Sequence, residues 1–501
     1  MTVQTASAAD VRGMDATVLP RPTPAAPDPR RLPPGVIALL GLAVGVAILV
    51  VEVRSHRLST DVFWQMAAGQ WMVGHHAVVG LDPFSYTESH RRWVADEWGS
   101  EVVLAALYKA FGAAAYSIVA IVTGTLSLAC TMLYARALGA RGGRLAAIAI
   151  LVAMGIAGFV AQDRGLSFSL IWLPLELLIL TKARTDARWL WALPALCVVW
   201  VNTHGSILLG LAVLGAELAW SVAPPRLVDR LGGVGQSPRP RALAAAAAAS
   251  AAAACLSPYG PGLLAYDLRV ATNSQIGKYI QEWQPPNFHS VMILLYFCVP
   301  LTVFVVAVRR RRLMVLETTL TVAFLLGTLH SVRVIIYLMI AAAGLSATLP
   351  ARGEWGSRAR RIAGALGVAF GVIAIALPGV PAGSVARTTP VQAFNFLASH
   401  PGRIFTDYTW SDYSIVRHRA TFADGRTDLF TGPVLSDFFA VSDVTANPDP
   451  ILSRYHVDYV VWAPRTPLAV YLAHDARWVM VDRTAAALVF ARQSVWGSTG
   501  Q

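Results

Sequence analysis

Apolar runs long enough to cross a lipid bilayer recur along this chain, and they constrain its fold more than any other feature. A helix rises 1.5 Å per residue, so about 20 apolar residues span the hydrocarbon core. About eleven runs approach that standard, at 36–53, 114–134, 145–161, 166–180, 190–201, 207–222, 242–256, 291–308, 313–329, 334–349 and 362–377. The fifth is short and the seventh is mostly alanine. The residues are 55% hydrophobic and only 14% charged, which excludes an ordinary soluble domain. A mainly α, polytopic helix bundle is expected, with a long first extracytoplasmic loop at 55–112 and a small C-terminal α/β extracytoplasmic domain.

The net charge of +12 reads as topology rather than nucleic-acid binding, because the arginines gather in short clusters between apolar runs. Arg30 and Arg31, Arg136 to Arg144, Lys182 to Arg188, Arg226 to Arg241, Arg309 to Arg312 and Arg352 to Arg361 all fall on one side if odd-numbered spans run outward. That side is the cytoplasm by the positive-inside rule. Residues 1–33, rich in Ala, Pro and Thr, read as a disordered cytoplasmic tail, and the first span as an uncleaved anchor. The bundle is expected over 34–381 and the outer domain over 382–501. The four cysteines show no CxxC spacing, so neither a disulfide frame nor a zinc site is expected.

The polar residues concentrate at 60–99, between the first two spans. Asp61 opens an aromatic, amphipathic stretch, where it can cap the helix or serve as a general base. Asp82 precedes Pro83 and favours a turn. Asp96 and Glu97 stand beside Trp93 and Trp98, and with Trp64 they suit a sugar ring or a divalent ion; solvated loop acids are the plain alternative. His75-His76 fits an exposed turn better than a metal pair. A divalent metal is therefore possible, without a strong motif, and the cofactor is unknown. The other outward turns carry Asp163 and Arg164 (AQDRG), His204 (VNTHG), Glu282 (QEWQPP), and His330 and Arg333 (LHSVR). Arginine's planar fork matches phosphate oxygens, so Arg164 and Arg333 could hold a lipid phosphate or simply anchor to headgroups.

In the last hundred residues, short β-rich runs at 402–408, 457–462, 479–481 and 486–490 alternate with helical stretches at 391–399 and 434–441. The last two runs form an expected hairpin. Asp407, Trp410, Asp424 and Arg426 could select an acceptor there, or form a packed lid with a salt-bridged turn. No Walker loop, GxGxxG, HExxH or GxSxG occurs in a supporting context.

The pieces TDVFWQMAAGQWMV, GLDPFSYTES, WVNTHGS, SPYG, QEWQPP and RIFTDYTWSDY…ATFADGRTDLF resemble a bacterial group within the GT-C class of membrane glycosyltransferases. The resemblance implies a polyprenyl-phosphate-linked sugar donor, membrane lipids but no nucleic acid as partners, and Asp61 at the position of the class's first-loop acid. It departs from the class at two points: Asp61 is followed by Val62 rather than a second acid, and the outer domain has no WWDYG-like signature. The expected function is an inverting transfer at the outer face of the bacterial plasma membrane, with Asp61 as base. A transporter or flippase remains a rival if Glu176, Glu217 and Glu317 line a shared channel, and a non-enzymatic envelope-assembly scaffold is a second.

Overall fold

The computed structural model describes residues 33–55, 61–160, 165–230, 233–234, 237–349 and 389–499. The expected tail and the run at 362–377 lie outside them, as do Asp163 and Arg164.

The apolar runs fold as helices: α1 (Pro34–Ser55), α4 (Ala114–Ala137), α5 (Gly143–Val160), α6 (Leu166–Ala183), α7 (Ala192–Val201) and α8 (Ile207–Ser221). After the short α9 (Pro225–Arg230) follow α10 (Pro240–Ala253), α13 (Val291–Arg310), α14 (Val315–His330) and α15 (Ile335–Thr348). Four of them, α1, α4, α6 and α13, are long and apolar enough to cross a membrane. The others are shorter. The run at 190–201 is divided between a 3-10 turn at Ala187–Trp191 and α7. The run at 313–329 opens on a two-residue strand, β2 (Leu313–Met314), which pairs in parallel with β1 (Gly233–Val234).

The bundle's core is one apolar cluster that includes Leu49, Leu128, Ile156, Leu170, Trp200 and Ile336. Gly41 lets α1 lie directly on α5, because a Cβ at that position would run into Ala146. Helix α6 fixes the two ends of the molecule. Its first turn starts beside Glu97, and its last residue precedes Arg184, which pairs with Glu317 at the start of α14.

At the first of these ends lie two amphipathic helices, α2 (Asp61–His75) and α3 (Trp98–Phe111), joined by an irregular loop. Two short helices, α11 (Gly262–Ala271) and α12 (Ser274–Tyr279), lie between α10 and α13. A mixed four-stranded sheet in the order β3-β4-β6-β5 forms here from β3 (Ile404–Thr406), β4 (Tyr459–Trp462), β5 (Trp478–Arg483) and β6 (Leu488–Arg492). β3 and β4 are parallel, while β5 and β6 make the expected antiparallel hairpin. Helices Val391–Leu397 and Pro433–Ser442 match the helical stretches read from sequence.

This α/β unit and the first loop share one core. Met72, Val79 and Trp93 pack in the same cluster as Phe405, Phe438 and Trp462. Backbone bonds cross the same boundary, from Tyr86 N to Thr421 O (3.0 Å) and from Thr421 N to Phe84 O (3.0 Å).

Candidate functional site

Helix α2 organises the site because positions four apart share a face. Asp61 stands in its first turn, where a carboxylate meets the positive helix end. One turn later, the buried Gln65 donates through Nε2 to Glu97 Oε2 (2.6 Å) and accepts from Gly165 N (3.3 Å). The other Glu97 oxygen faces His204 Nε2 at 3.1 Å. His204 Nδ1 accepts the backbone N–H of Ser206 (2.9 Å), so the ring proton resides on Nε2, the nitrogen beside the carboxylate.

Asp96 turns to the other side of the same junction and meets Asp267 of α11. A Cβ on Gly205 would stand 2.8 Å from Asp96 Oδ2 and 2.8 Å from Asp267 Oδ1, so only glycine leaves room for the two carboxyls. Burial, followed by Glu97, Asp267, Asp428 and Glu101, pushes the Asp96 carboxyl well above its ordinary range. Burial and Glu97 push Asp267 up to about 8. Asp428 accepts a hydrogen bond from the Tyr266 hydroxyl and is also raised, chiefly by burial. This is a recess with more carboxyls than can all ionise, so it retains protons near neutral pH.

The loop backbone is held to the bundle at several points. Tyr259 accepts from Ala95 N (3.0 Å) and donates to Val79 O (2.7 Å). Asn202 accepts from Trp98 Nε1 (2.9 Å), and its carbonyl accepts from Gly99 N (2.8 Å). The SPYG and VNTHG turns therefore fix the start of α3.

A second recess opens around Asp61. A Cβ on Gly425 would meet Trp64 Nε1 at 2.7 Å and Asp61 Oδ1 at 2.9 Å, so these two groups converge on the ADGR turn. The Trp64 indole N–H is buried and has no hydrogen-bond partner among the described residues. Asp412 accepts from Gly425 N (2.7 Å), and burial, then Asp61 and Asp424, raise its carboxyl well above the ordinary range.

Asp424 and Arg426 form a buried ion pair in the ADGR turn. Arg426 is fully buried, donating through Nε and Nη2 to Asp424 (2.8 and 2.7 Å) and through Nη1 to Asp82 Oδ1 (2.5 Å). Its guanidinium lies 4.6 Å from the Trp93 ring centre and 5.1 Å from that of Phe84. Asp82 makes the turn read from sequence, accepting from Phe84 N and Ser85 N (3.0 and 3.1 Å). It also accepts from the Ser85 hydroxyl (2.5 Å) and from Arg426. Trp410 is core, and Asp407 caps the helix Tyr408–Val416. Of the two readings made from sequence, acceptor selection or a packed lid with a salt-bridged turn, the burial, ion pairing and capping of these four residues fit the second.

Asp61, Trp64, Asp96, Glu97, Trp98 and His204 are therefore drawn together around α2 and the start of α3. Arg333, Glu282 and His330 gather where the end of α14 meets the 3-10 turn Gln281–Trp283. There Arg333 stacks 5.4 Å from the Trp283 ring centre, Ser331 donates to Glu282 O (3.0 Å), and His330 is exposed at the end of α14. His75 is bound to its own helix, with Nδ1 at 2.8 Å from Trp71 O and the ring stacked on Trp71. Among the described residues, no group of three or more His, Cys, Asp or Glu side chains is arranged to hold a metal ion.

Of the three glutamates that would mark a channel, two gather at Arg184. Glu317 pairs with Arg184 (3.0 Å), Glu217 is within electrostatic range of the same arginine, and Glu176 is packed near Gly210 and Trp200.

No protein-family model and no curated protein matches the chain. Solved structures do. The archaeal oligosaccharyltransferase AglB from Archaeoglobus fulgidus, in complex with an inhibitory peptide and a dolichol-phosphate, aligns at TM-score 0.58 and 12% identity over 85% of this chain and 69% of that one. ArnT from Cupriavidus metallidurans, bound to undecaprenyl phosphate, aligns at TM-score 0.54 and 14% identity over 92% of this chain and 98% of that one. Both are GT-C glycosyltransferases, and at these identities the likeness shows that this chain has the GT-C fold.

Proposed function

We propose that the protein is a GT-C glycosyltransferase that moves a sugar from a polyprenyl-phosphate carrier to an acceptor at the outer face of a bacterial plasma membrane. The span count of about eleven and the orientation read from the arginine clusters belong to this proposal. One observation carries it: Asp61 and the unpartnered Trp64 N–H share a recess one helical turn from the Gln65–Glu97–His204 network. A carboxylate held on a rigid helix beside a vacant donor is suited to orient a hydroxyl or amine acceptor and take its proton. The sugar would lie against Trp64 and Trp98, with Asp96 and Glu97 bonding its hydroxyls. Arg333, or Arg164, would meet the phosphate as its charge develops on departure. A single displacement opposite the leaving group inverts the anomeric carbon.

The test is transfer from defined polyprenyl-phosphate sugars by the purified full-length protein. Asp61→Asn is expected to lower the rate by at least about 10²-fold while leaving carrier binding intact, since general-base catalysis contributes on that order. Undiminished transfer by the variant would remove Asp61 from the mechanism. Absence of transfer from every such donor, with the carrier also unbound, would remove the function.

A further inference from the structure

The carboxyl recess can accept hydrogen bonds but has few left to give. Asp96 Oδ2 and Asp267 Oδ1 each lie 2.8 Å from the position that a Cβ on Gly205 would take, so the two carboxyls face one another across that glycine. Asp267 is 6% exposed, and its Oδ2 is buried with no hydrogen-bond partner. Among the described residues, none donates a hydrogen bond to the Asp96 carboxyl either.

The side-chain donors around the recess are already engaged. The Tyr266 hydroxyl, next to Asp267 on α11, donates to Asp428. Gln65 Nε2 donates to Glu97 (2.6 Å), and His204 Nε2 stands against the other oxygen of the same carboxylate (3.1 Å). The Arg426 guanidinium is occupied by Asp82 and Asp424. Glu101, within electrostatic range of Glu97, Asp428 and Arg426, adds two more buried oxygens without a partner. What the recess still offers is therefore acceptor oxygen. A hydroxyl guest brings lone pairs that call for a donor, whereas an ammonium has three N–H groups and no lone pair. A metal ion fits less well, because no group of three or more His, Cys, Asp or Glu among the described residues is arranged to hold one.

The charge state of the recess agrees with such a guest. Burial and Glu97 hold Asp267 up at about 8, and burial with Glu97, Asp267, Asp428 and Glu101 raises Asp96. Without a guest, retained protons keep these crowded carboxyls neutral. An ammonium takes over that task, so its entry releases a proton to solvent and becomes more favourable as pH rises towards about 8.

We propose that the recess binds an ammonium group, held between Asp96 and Asp267 across Gly205. The inference rests on the transfer reading only for what carries that group, the transferred sugar or the acceptor, and the experiment separates the two. Asp96 adjoins Glu97 of the Gln65 network, and Asp428 follows closely on Gly425 beside Asp61, so the ammonium lies alongside the groups assigned to transfer. Binding to the purified full-length protein in nanodiscs is measured by ligand-observed NMR, with glucosamine compared against glucose and ethanolamine against ethylene glycol.

At least one ammonium probe is expected to bind at least tenfold more tightly than its uncharged counterpart, with an affinity that rises as pH goes from about 5.5 to about 7, where both amines stay charged. Tighter binding of glucosamine assigns the group to the sugar, and tighter binding of ethanolamine to the acceptor. Asp267→Asn, which keeps the shape and removes the charge, should lower that affinity at least tenfold and flatten its pH dependence. Asp443→Asn, which changes an exposed acid of the C-terminal unit, should alter neither, and a cooperative thermal transition confirms that each variant is folded. Equal binding of the uncharged probes, binding that ignores Asp267→Asn, or no binding of either ammonium would overturn the proposal. Sugar transfer that persists in that case leaves the transfer reading standing. Ammonium binding by a protein that transfers no sugar upholds the recess and removes the reading.

Discussion

Asp267 shows what a crowded recess does to a single residue. An exposed carboxyl titrates near about 3.9, whereas burial and Glu97 lift this one to about 8. Between those values the folded protein holds a proton that the unfolded chain has released. The stabilisation is complete below about pH 4, declines as pH rises, and is gone above about pH 8, with a slope no steeper than about 1.4 kcal/mol per pH unit. Asp267→Asn should therefore flatten the dependence of thermal midpoint on pH between about 5 and 8, measured in detergent. A variant with the wild-type slope would place the retained proton elsewhere. Asp267 was not legible in the sequence, although Asp96, Glu97 and His204 were. The first two adjoin aromatic residues and His204 ends an apolar run, so local pattern exposed them. Asp267 is one acid on a short amphipathic helix, and Gln65 one amide in the aromatic helix α2. Both acquire their meaning only from partners on other elements.

Elements are joined here by pairs that local pattern half reveals. LDPFSYT reads as a turn and ADGR as a salt-bridged turn, and the structure contains both. Sequence reasoning could not see that the two share Arg426, because ion-pair partners distant in the chain leave no periodic trace. Arg426→Met should destabilise the protein by about 3–5 kcal/mol, since it leaves Asp82 and Asp424 buried without their cation. Adding Asp82→Asn should recover part of that loss, as one stranded charge is removed. Denaturation midpoints of the single and double variants check this; strict additivity would mean that the contact across the two elements contributes nothing. The helices themselves were largely legible, with boundaries displaced where Pro, Gly or a 3-10 turn shortened a run. The hairpin of β5 and β6 was legible too, because alternation and turn residues are local.

On the scale of the whole molecule, the C-terminal α/β unit is compositionally distinct but not physically separate. Phe405, Phe438 and Trp462 on one side and Met72, Val79 and Trp93 on the other belong to one apolar cluster. Residues 389–501 expressed alone should expose that surface, bind a hydrophobic dye and aggregate. Supplying residues 61–111 should reduce dye binding and restore cooperative unfolding. A well-folded, dye-silent fragment would show the shared core to be dispensable.

Arg426 follows Asp82 by 344 positions. During synthesis the early loop carries its acid without a counter-ion until nearly the entire polypeptide has emerged. Pairing then draws Trp64 and Asp61 against the ADGR turn in the same event. The recess is therefore complete only once residue 426 has emerged, so a product truncated before it could form the earlier helices and still lack the pairing.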